Sequence, residues 1–290
     1  MRNLKKISVV GMGLLGSSVT LSAKRALTCS RIVGYSHRSS TRDKARQYEV
    51  AGEIVDSLEQ AITGADMVIL ATPIQTFEDY FKQIVPFLKD GCIVTDVGST
   101  KTLPHQWAAM HLPRGVYYVG SHPIAGSEKR GVEYARDDLL VNAKCILTRV
   151  RGTSAEAIEV LDELWSKLGC RVQVMSPANH DRIFGMVSHL PHIAAAALVN
   201  SVSQQHMKFA GRGFIDTTRV ASGPSNVWTD ILMTNPDTCV EAIGELTDRL
   251  QTLQDAIAAG DAKKVNRILA QAGQKRAKLI QHKIDQKELF

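Results

Sequence analysis

Ile7-Ser8-Val9-Val10-Gly11-Met12-Gly13-Leu14-Leu15-Gly16-Ser17-Ser18 decides the fold of this chain. A short β-branched apolar run leads directly into Gly-x-Gly-x-x-Gly, and a helical pattern follows. The run predicts a buried strand. Gly11 permits the tight turn out of it, Gly13 lets a pyrophosphate approach the backbone, and Gly16 lets the helix pack closely on the strand. The free N–H groups of Leu14, Leu15 and Gly16, at the positive end of that helix, would then face the phosphates. A glycine-rich turn can carry the same triplet, but here it stands between the strand and the helix that a dinucleotide site requires. No FAD-specific feature follows, so a nicotinamide cofactor is expected.

Outward from this segment, strand-like runs recur at residues 31–35, 67–71, 92–96, 116–120, 144–148 and 171–175, with helical patterns such as 57–63 and 155–168 between them. The alternation predicts a doubly wound, mainly parallel sheet of Rossmann type. At Ser176-Pro177 the character changes: serine at the N-cap and proline at the first helical position start a helix. Helical patterns then run over 177–209, 226–234, 237–258 and 262–286, and the Gly-, Thr- and Ser-rich stretch 211–226 reads as a loop. The expected organisation is a dinucleotide-binding domain over 1–175 and an all-helical substrate and dimerisation domain over 176–290.

Composition narrows the function. With 290 residues, 44% hydrophobic and 22% charged, the chain is an ordinary globular one with room for two cores. The net charge of +6 suits an anionic ligand, but the basic residues are scattered, and nucleic acid is not indicated. Five widely spaced cysteines without Cys-x-x-Cys suggest reduced thiols in a cytoplasmic protein and no metal site. The N-terminus enters the first strand at once, so no signal peptide is expected, and no apolar stretch suggests a membrane span.

NAD-binding forms of this fold end the second strand with a carboxylate that holds the ribose hydroxyls. Here that strand ends at Tyr35 and continues Ser36-His37-Arg38-Ser39-Ser40, and no carboxylate occurs before Asp43. A cation and a hydroxyl cluster suit a 2′-phosphate, so NADP is favoured over NAD, with Arg38 and Ser39 leading and Ser36, His37 and Ser40 behind. A polar loop before the next helix would show the same residues.

Chemistry is expected on loops beyond the carboxyl ends of the strands. Thr72-Pro73-Ile74 would flank the cofactor. Ser99 follows the next strand, where it can orient a catalytic group or cap a helix. Ser121-His122-Pro123 lies at a strand end stiffened by proline, and an imidazole there can take the proton of a substrate hydroxyl as hydride leaves. In Ser188-His189-Leu190-Pro191-His192 the two histidines share a helix face, and Pro191 should kink the helix. No third ligand suggests a metal. Arg219 can pair with a carboxylate or form a surface ion pair.

Together these segments resemble the prephenate/arogenate dehydrogenase family of tyrosine biosynthesis. The matching elements are Gly11-Met12-Gly13-Leu14-Leu15-Gly16, Ala71-Thr72-Pro73-Ile74, Asp96-Val97-Gly98-Ser99-Thr100-Lys101, Gly120-Ser121-His122-Pro123-Ile124-Ala125-Gly126-Ser127-Glu128, Ser188-His189-Leu190-Pro191-His192 and Phe214-Ile215-Asp216-Thr217-Thr218-Arg219, in family order. The resemblance implies oxidative decarboxylation of prephenate or arogenate with hydride transfer to NAD(P)+. It makes His122 the partner of the ring hydroxyl with Ser99 orienting it, and Arg219 a buried clamp for a carboxylate with His192 nearby. It also implies Glu128 at the side-chain end, Ser121 beside the substrate, His180 and His189 as secondary pocket residues, and a homodimer through the helical domain. A regulatory or chorismate mutase domain is not expected, so any feedback by tyrosine would act at the active site.

Two departures concern the substrate. Ile215 stands where members that bind prephenate tightly often carry a basic residue, whereas His192 is present and is often missing from arogenate enzymes. Two other classes compete. A β-hydroxyacid dehydrogenase needs a lysine four residues before an asparagine, and Ala196 precedes Asn200 here. A non-catalytic NADPH-binding sensor would need neither His122 nor Arg219.

Overall fold

The computed structural model describes residues 4–27, 30–125 and 129–286. They form two compact units, residues 1–236 and 237–290. The expected passage to an all-helical region at Ser176 falls inside the first.

A parallel sheet is built from β1 (Lys6–Val10), β2 (Arg31–Tyr35), β3 (Glu53–Ile54), β4 (Met67–Leu70), β5 (Ile93–Asp96) and β6 (Tyr117–Tyr118), in the order β3-β2-β1-β4-β5-β6. The order reverses between β1 and β4, and ligands of such sheets bind outside the strand ends at that reversal. Val10 pairs with Leu70, and Leu70 with Asp96, so the three strands end at one level. Alternation along the strands divides the core. Ile7, Val9, Met67, Ile69 and Ile93 pack in one cluster with Leu161, Leu164 and Trp165, while Val10, Val68, Leu70 and Val94 pack with Phe77, Phe81 and Ile84 on the other face. The helices of this part are α1 (Leu14–Ala26), α2 (Ser39–Gln47), α3 (Leu58–Ile62), α4 (Phe77–Ile84), α5 (Thr102–His111) and α6 (Ala155–Lys167). The Ser57 hydroxyl caps α3 in a reciprocal capping box with Gln60.

The strand expected at 116–120 is in fact two. After β6 the chain passes Val119 and enters β7 (Gly120–Ile124), which belongs to a separate sheet with β8 (Lys144–Thr148) and β9 (Arg171–Met175). β7 runs antiparallel to β8, and β8 parallel to β9. His122 therefore sits within a strand, opposite Ile146, and not in a loop beyond one. Pro123 is tolerated because β7 is an edge strand, where a missing N–H breaks no ladder.

From Ser176, whose hydroxyl caps the next helix, one helical run continues through α7 (Pro177–Phe184), a π turn (Gly185–His189) and α8 (Leu190–Ser201). The kink expected at Pro191 takes the form of this wide turn. Proline has no N–H to give and its ring clashes with the carbonyl four residues back, so the preceding turn opens. This run of 25 residues contains an 18-residue stretch of mean hydropathy 1.3, so by length and composition it is long and apolar enough to cross a membrane, contrary to the sequence expectation. It carries a hydrogen-bonded His180–Asp181 pair, however, and packs on α5 and β8. The stretch read as a loop over 211–226 is largely helical. After α9 (Gln204–Met207) come α10 (Arg212–Thr218), a 3-10 turn (Arg219–Ser222) and α11 (Ser225–Met233), held against α8 by tertiary contacts that override weak local propensity.

The second unit takes in α12 (Pro236–Ala258) from its second residue on, and α13 (Ala262–Asp285). Gly260 turns between them with φ +64°, and Asp261 caps α13 through Lys264 N–H.

The first glycine triplet sets a stability requirement. A Cβ on Gly16 would run into the Gly11 carbonyl oxygen, which is backbone and cannot swing away. Gly16→Ala is expected to lower unfolding free energy by about 1–3 kcal/mol through overpacking, measured by urea denaturation. An unchanged midpoint would contradict the close approach of helix and strand.

Candidate active site

The cofactor crevice begins where β1 ends. Gly11, at φ +107°, turns the chain so that its N–H bonds to the Tyr35 carbonyl at 2.7 Å. Gly13 is exposed, with nothing within 4 Å of where a Cβ would stand, so the backbone there is open to a ligand. Helix α1 begins immediately after it, with no side-chain cap and no acidic residue in its first turn. Its first N–H groups lack intrahelical acceptors and point into that opening, an arrangement that fits a pyrophosphate.

At the end of β2, Ser36 is buried while His37, Arg38, Ser39 and Ser40 are exposed. Arg42, overlooked in the sequence, organises this loop. Its Nη1 donates to the Ser36 carbonyl at 2.8 Å and the His37 carbonyl at 3.1 Å, and its Nε donates to Asp56. The exposed guanidinium of Arg38 has no partner among the described residues. On the far side of the switch point, Thr72 bonds Thr76 through their hydroxyls, Pro73 is exposed, and Ile74 is buried against Gly98.

A cleft of about 360 Å³ is lined by Leu15, Val97, Ser99, His122, Pro123, Ile124 and Ala125. The start of the cofactor helix, the β5–α5 loop and the edge strand β7 thus share one space. Ser99 lines it without bonding His122. The partner of His122 is instead His180, with Nδ1 and Nε2 2.8 Å apart, and His180 Nδ1 lies 2.8 Å from Asp181 Oδ1. Phe184 packs on both imidazoles.

Asp181 also accepts the N–H of Lys101 at 2.8 Å and of Thr102 at 2.7 Å, so it caps α5 from another helix. Burial alone would push its carboxyl up, but the bonds from His180 and Thr102 outweigh this and hold it below its ordinary value. The Lys101 ammonium itself is fully buried and pairs with the equally buried Asp96, which also accepts from the Tyr118 hydroxyl and Gly98 N–H. Gly120 lies directly over Lys101, and a Cβ there would fall 2.9 Å from Lys101 Cδ. Burial, then the neighbouring His180 and Lys101, hold His122 well below the usual histidine value, so it is neutral near pH 7.

Other expected residues fall elsewhere. Ser121 points away from His122 into the core, where its hydroxyl meets Thr95 at 2.7 Å and accepts from Trp165 Nε1 at 3.0 Å. Neighbours on a strand face opposite ways, so Ser121 cannot share the cleft with His122. His189 is buried, pushed down to about 4 by burial, and lies 3.4 Å from Asn235, which also donates to the Asp181 carbonyl. His192 stacks on Trp228 at 3.6 Å, and its buried Nδ1 has no hydrogen-bond partner among the described residues. Arg219 is exposed rather than buried, in the turn that packs on α8. Glu128, with Gly126 and Ser127, lies outside the described residues. The described residues contain no cluster able to hold a metal. The sequence signal for the missed Asp181 was a His-Asp dipeptide in the helix that opens at Ser176.

Two family models match the chain: the nucleotide-binding domain of prephenate dehydrogenase over residues 19–174 and its dimerization domain over 176–271. Cyclohexadienyl dehydrogenase of Zymomonas mobilis is 30% identical over 264 residues, covering 89% of this chain and 90% of that protein. The crystal structure of prephenate dehydrogenase from Aquifex aeolicus, in complex with hydroxyphenyl propionate and NAD+, matches with TM-score 0.89 and 32% identity, over 95% of this chain and 98% of that one. Arogenate dehydrogenase of Synechocystis matches with TM-score 0.83 and 29% identity, over 94% and 99%.

The geometry separates Ser121 from the chemistry. Ser121→Ala is expected to cost about 1–3 kcal/mol by leaving buried partners unsatisfied, while the substrate KM stays unchanged. Denaturant melts and steady-state kinetics check it. A raised KM with unaltered stability would return Ser121 to the cleft.

Proposed function

We propose that this chain, which belongs to the prephenate dehydrogenase family, oxidises a cyclohexadienyl acid, prephenate or arogenate, with loss of CO2 and hydride transfer to a nicotinamide dinucleotide. The product is 4-hydroxyphenylpyruvate or tyrosine. The observation that carries the reading is the shared cleft, in which Leu15 of the cofactor helix, Ser99 and His122 line one space.

When bound, the nicotinamide supplies the hydride acceptor. Loss of CO2 and gain of aromaticity drive the reaction, so the protein must chiefly hold the donor carbon in place and manage one proton. His122, neutral and directed into the cleft, accepts the proton of the ring hydroxyl. Ser99 adds a hydroxyl to the same wall. Arg219 pairs with a substrate carboxylate, with His192 and His189 on the neighbouring helical run as further pocket residues.

For the cofactor we favour NADP. The exposed Arg38 and the hydroxyls of Ser36, Ser39 and Ser40 supply a cation and donors for a 2′-phosphate, and His37 lies between them. The carboxylates nearby, Asp43 and Asp56, are bound to arginines. The helical region is proposed to form a homodimer. Ile243, Leu250 and Ile257 lie exposed at heptad spacing along α12, a seam suited to a second helix. A cytoplasmic setting accords with Cys92, Cys145, Cys170 and Cys239, which are buried and in no disulfide among the described residues.

Measuring kcat/KM for prephenate and arogenate, each with NAD+ and NADP+, tests the activity and the cofactor together. Turnover with at least one substrate and a preference for NADP+ are expected; no reduction of either cofactor would sink the activity. Arg38→Ala should raise KM for NADP+ by about 10- to 100-fold, the loss of a charge-assisted contact, and leave NAD+ nearly unaffected. Equal effects on both cofactors would count against a 2′-phosphate site.

His122→Asn is expected to lower kcat by about 10²-fold or more with little change in cofactor affinity. Single-turnover kinetics and a cofactor titration read the two separately, and an unchanged kcat would remove His122 from the chemistry.

A further inference from the structure

We propose that His180 and Asp181 act through His122 as a closed proton relay. The proton from the substrate hydroxyl enters at His122 Nε2, the Nδ1 proton of His122 passes to His180 Nε2, and the charge rests beside the Asp181 carboxylate. The inference rests on the reading of His122 as proton acceptor and deepens it.

Hydrogen-bond roles along the chain follow one from another. An ionised carboxylate only accepts, so Asp181 requires a hydrogen on His180 Nδ1. Neutral His180 then carries a bare Nε2, which requires a hydrogen on His122 Nδ1. His122 is left with a bare Nε2, the tautomer a base in the cleft needs.

The chemistry calls for a store with no outlet. Oxidation removes a hydride from the ring carbon and a proton from its hydroxyl, giving a carbonyl. The bond to the carboxylate then breaks, CO2 leaves, and the electron pair enters the ring, whose oxygen becomes a phenolate and takes a proton back. One proton is lifted and one returned, with none released overall. His180 and Asp181 match that demand, being 0% and 3% exposed and absent from the cleft wall. They are positioning residues that touch no reacting atom.

Surrounding charges set the direction. Lys101 and Asp96 face the pair from the β5–α5 segment, His189 from the π turn and Cys145 from β8. Burial and Lys101 oppose charge on either imidazole, but only His180 has a carboxylate against it, which raises its proton affinity. The Phe184 ring covers both imidazoles and keeps water from the transfer.

Imidazole ¹⁵N NMR of the resting, ligand-free protein reads the tautomers directly. Both His122 and His180 should carry hydrogen on Nδ1 and none on Nε2; a His122 with hydrogen on Nε2 overturns the relay. This readout stands whether or not either substrate is turned over, so failure of the activity and failure of the relay are told apart. In kinetics, His180→Gln keeps an acceptor for His122 Nδ1–H but cannot take a proton. It should lower kcat by about 10²-fold with KM nearly unchanged. The acid limb of kcat/KM should move to lower pH, because His122 alone must then hold the proton. A variant with wild-type kcat and an unmoved acid limb overturns the proposal.

Discussion

One carboxylate organises the centre of this molecule. Asp181 is almost wholly withdrawn from water, and an isolated anion there would be too costly to persist. It persists because three N–H groups converge on it: two from the start of α5 and one from His180. Through the first two it fixes the helix that follows the Ser99 loop, and through the third it fixes His122 on β7. Two walls of the cleft, far apart in sequence, are therefore referred to a single anion. Taking away one member of such a buried set costs far more than forming the set contributes, because the charges left behind have no solvent to turn to.

The Lys101–Asp96 pair works beside it on the opposite sign. The Lys101 side chain passes beneath Gly120, at the crossing from one sheet to the other, where an added Cβ would crowd Lys101 Cδ and the Thr148 hydroxyl. A cation locked in that position makes protonation of the nearby imidazoles harder, which suits a site that must stay neutral until a substrate offers its proton. The same residues that join the sheets thus set the electrostatics of the cleft.

Much of this was legible in the chain. The glycine triplet, the order of strands and helices and the Ser176-Pro177 helix start all depend on local chemistry, and each lies where that chemistry places it. Misreadings arose where distant partners decide. Pro123 suggested the end of a strand, because nothing local reveals that β7 is an edge. The Gly-, Thr- and Ser-rich residues after Gly211 suggested a loop, because packing on α8 is invisible to composition. Ser121 was grouped with His122 as a neighbour, although strand alternation sends the two to opposite faces. Asp181 is not legible because two of its partners stand 79 and 80 positions away at the start of α5, and the third is the adjacent imidazole.

The wide turn at Gly185–His189 joins two tasks on one rod. On its first side, His180 and Phe184 look toward His122; on its second, His192 lies flat on Trp228. A regular helix would have fixed the angle between those two faces by its pitch alone. The open turn changes the phase, so that a single stiff element serves a proton-handling wall and an aromatic wall at once. The sequence from Gly185 to His189 therefore sets the angular offset between the side facing His122 and the side facing Trp228, and a residue inserted or removed there would turn one side away from its partner.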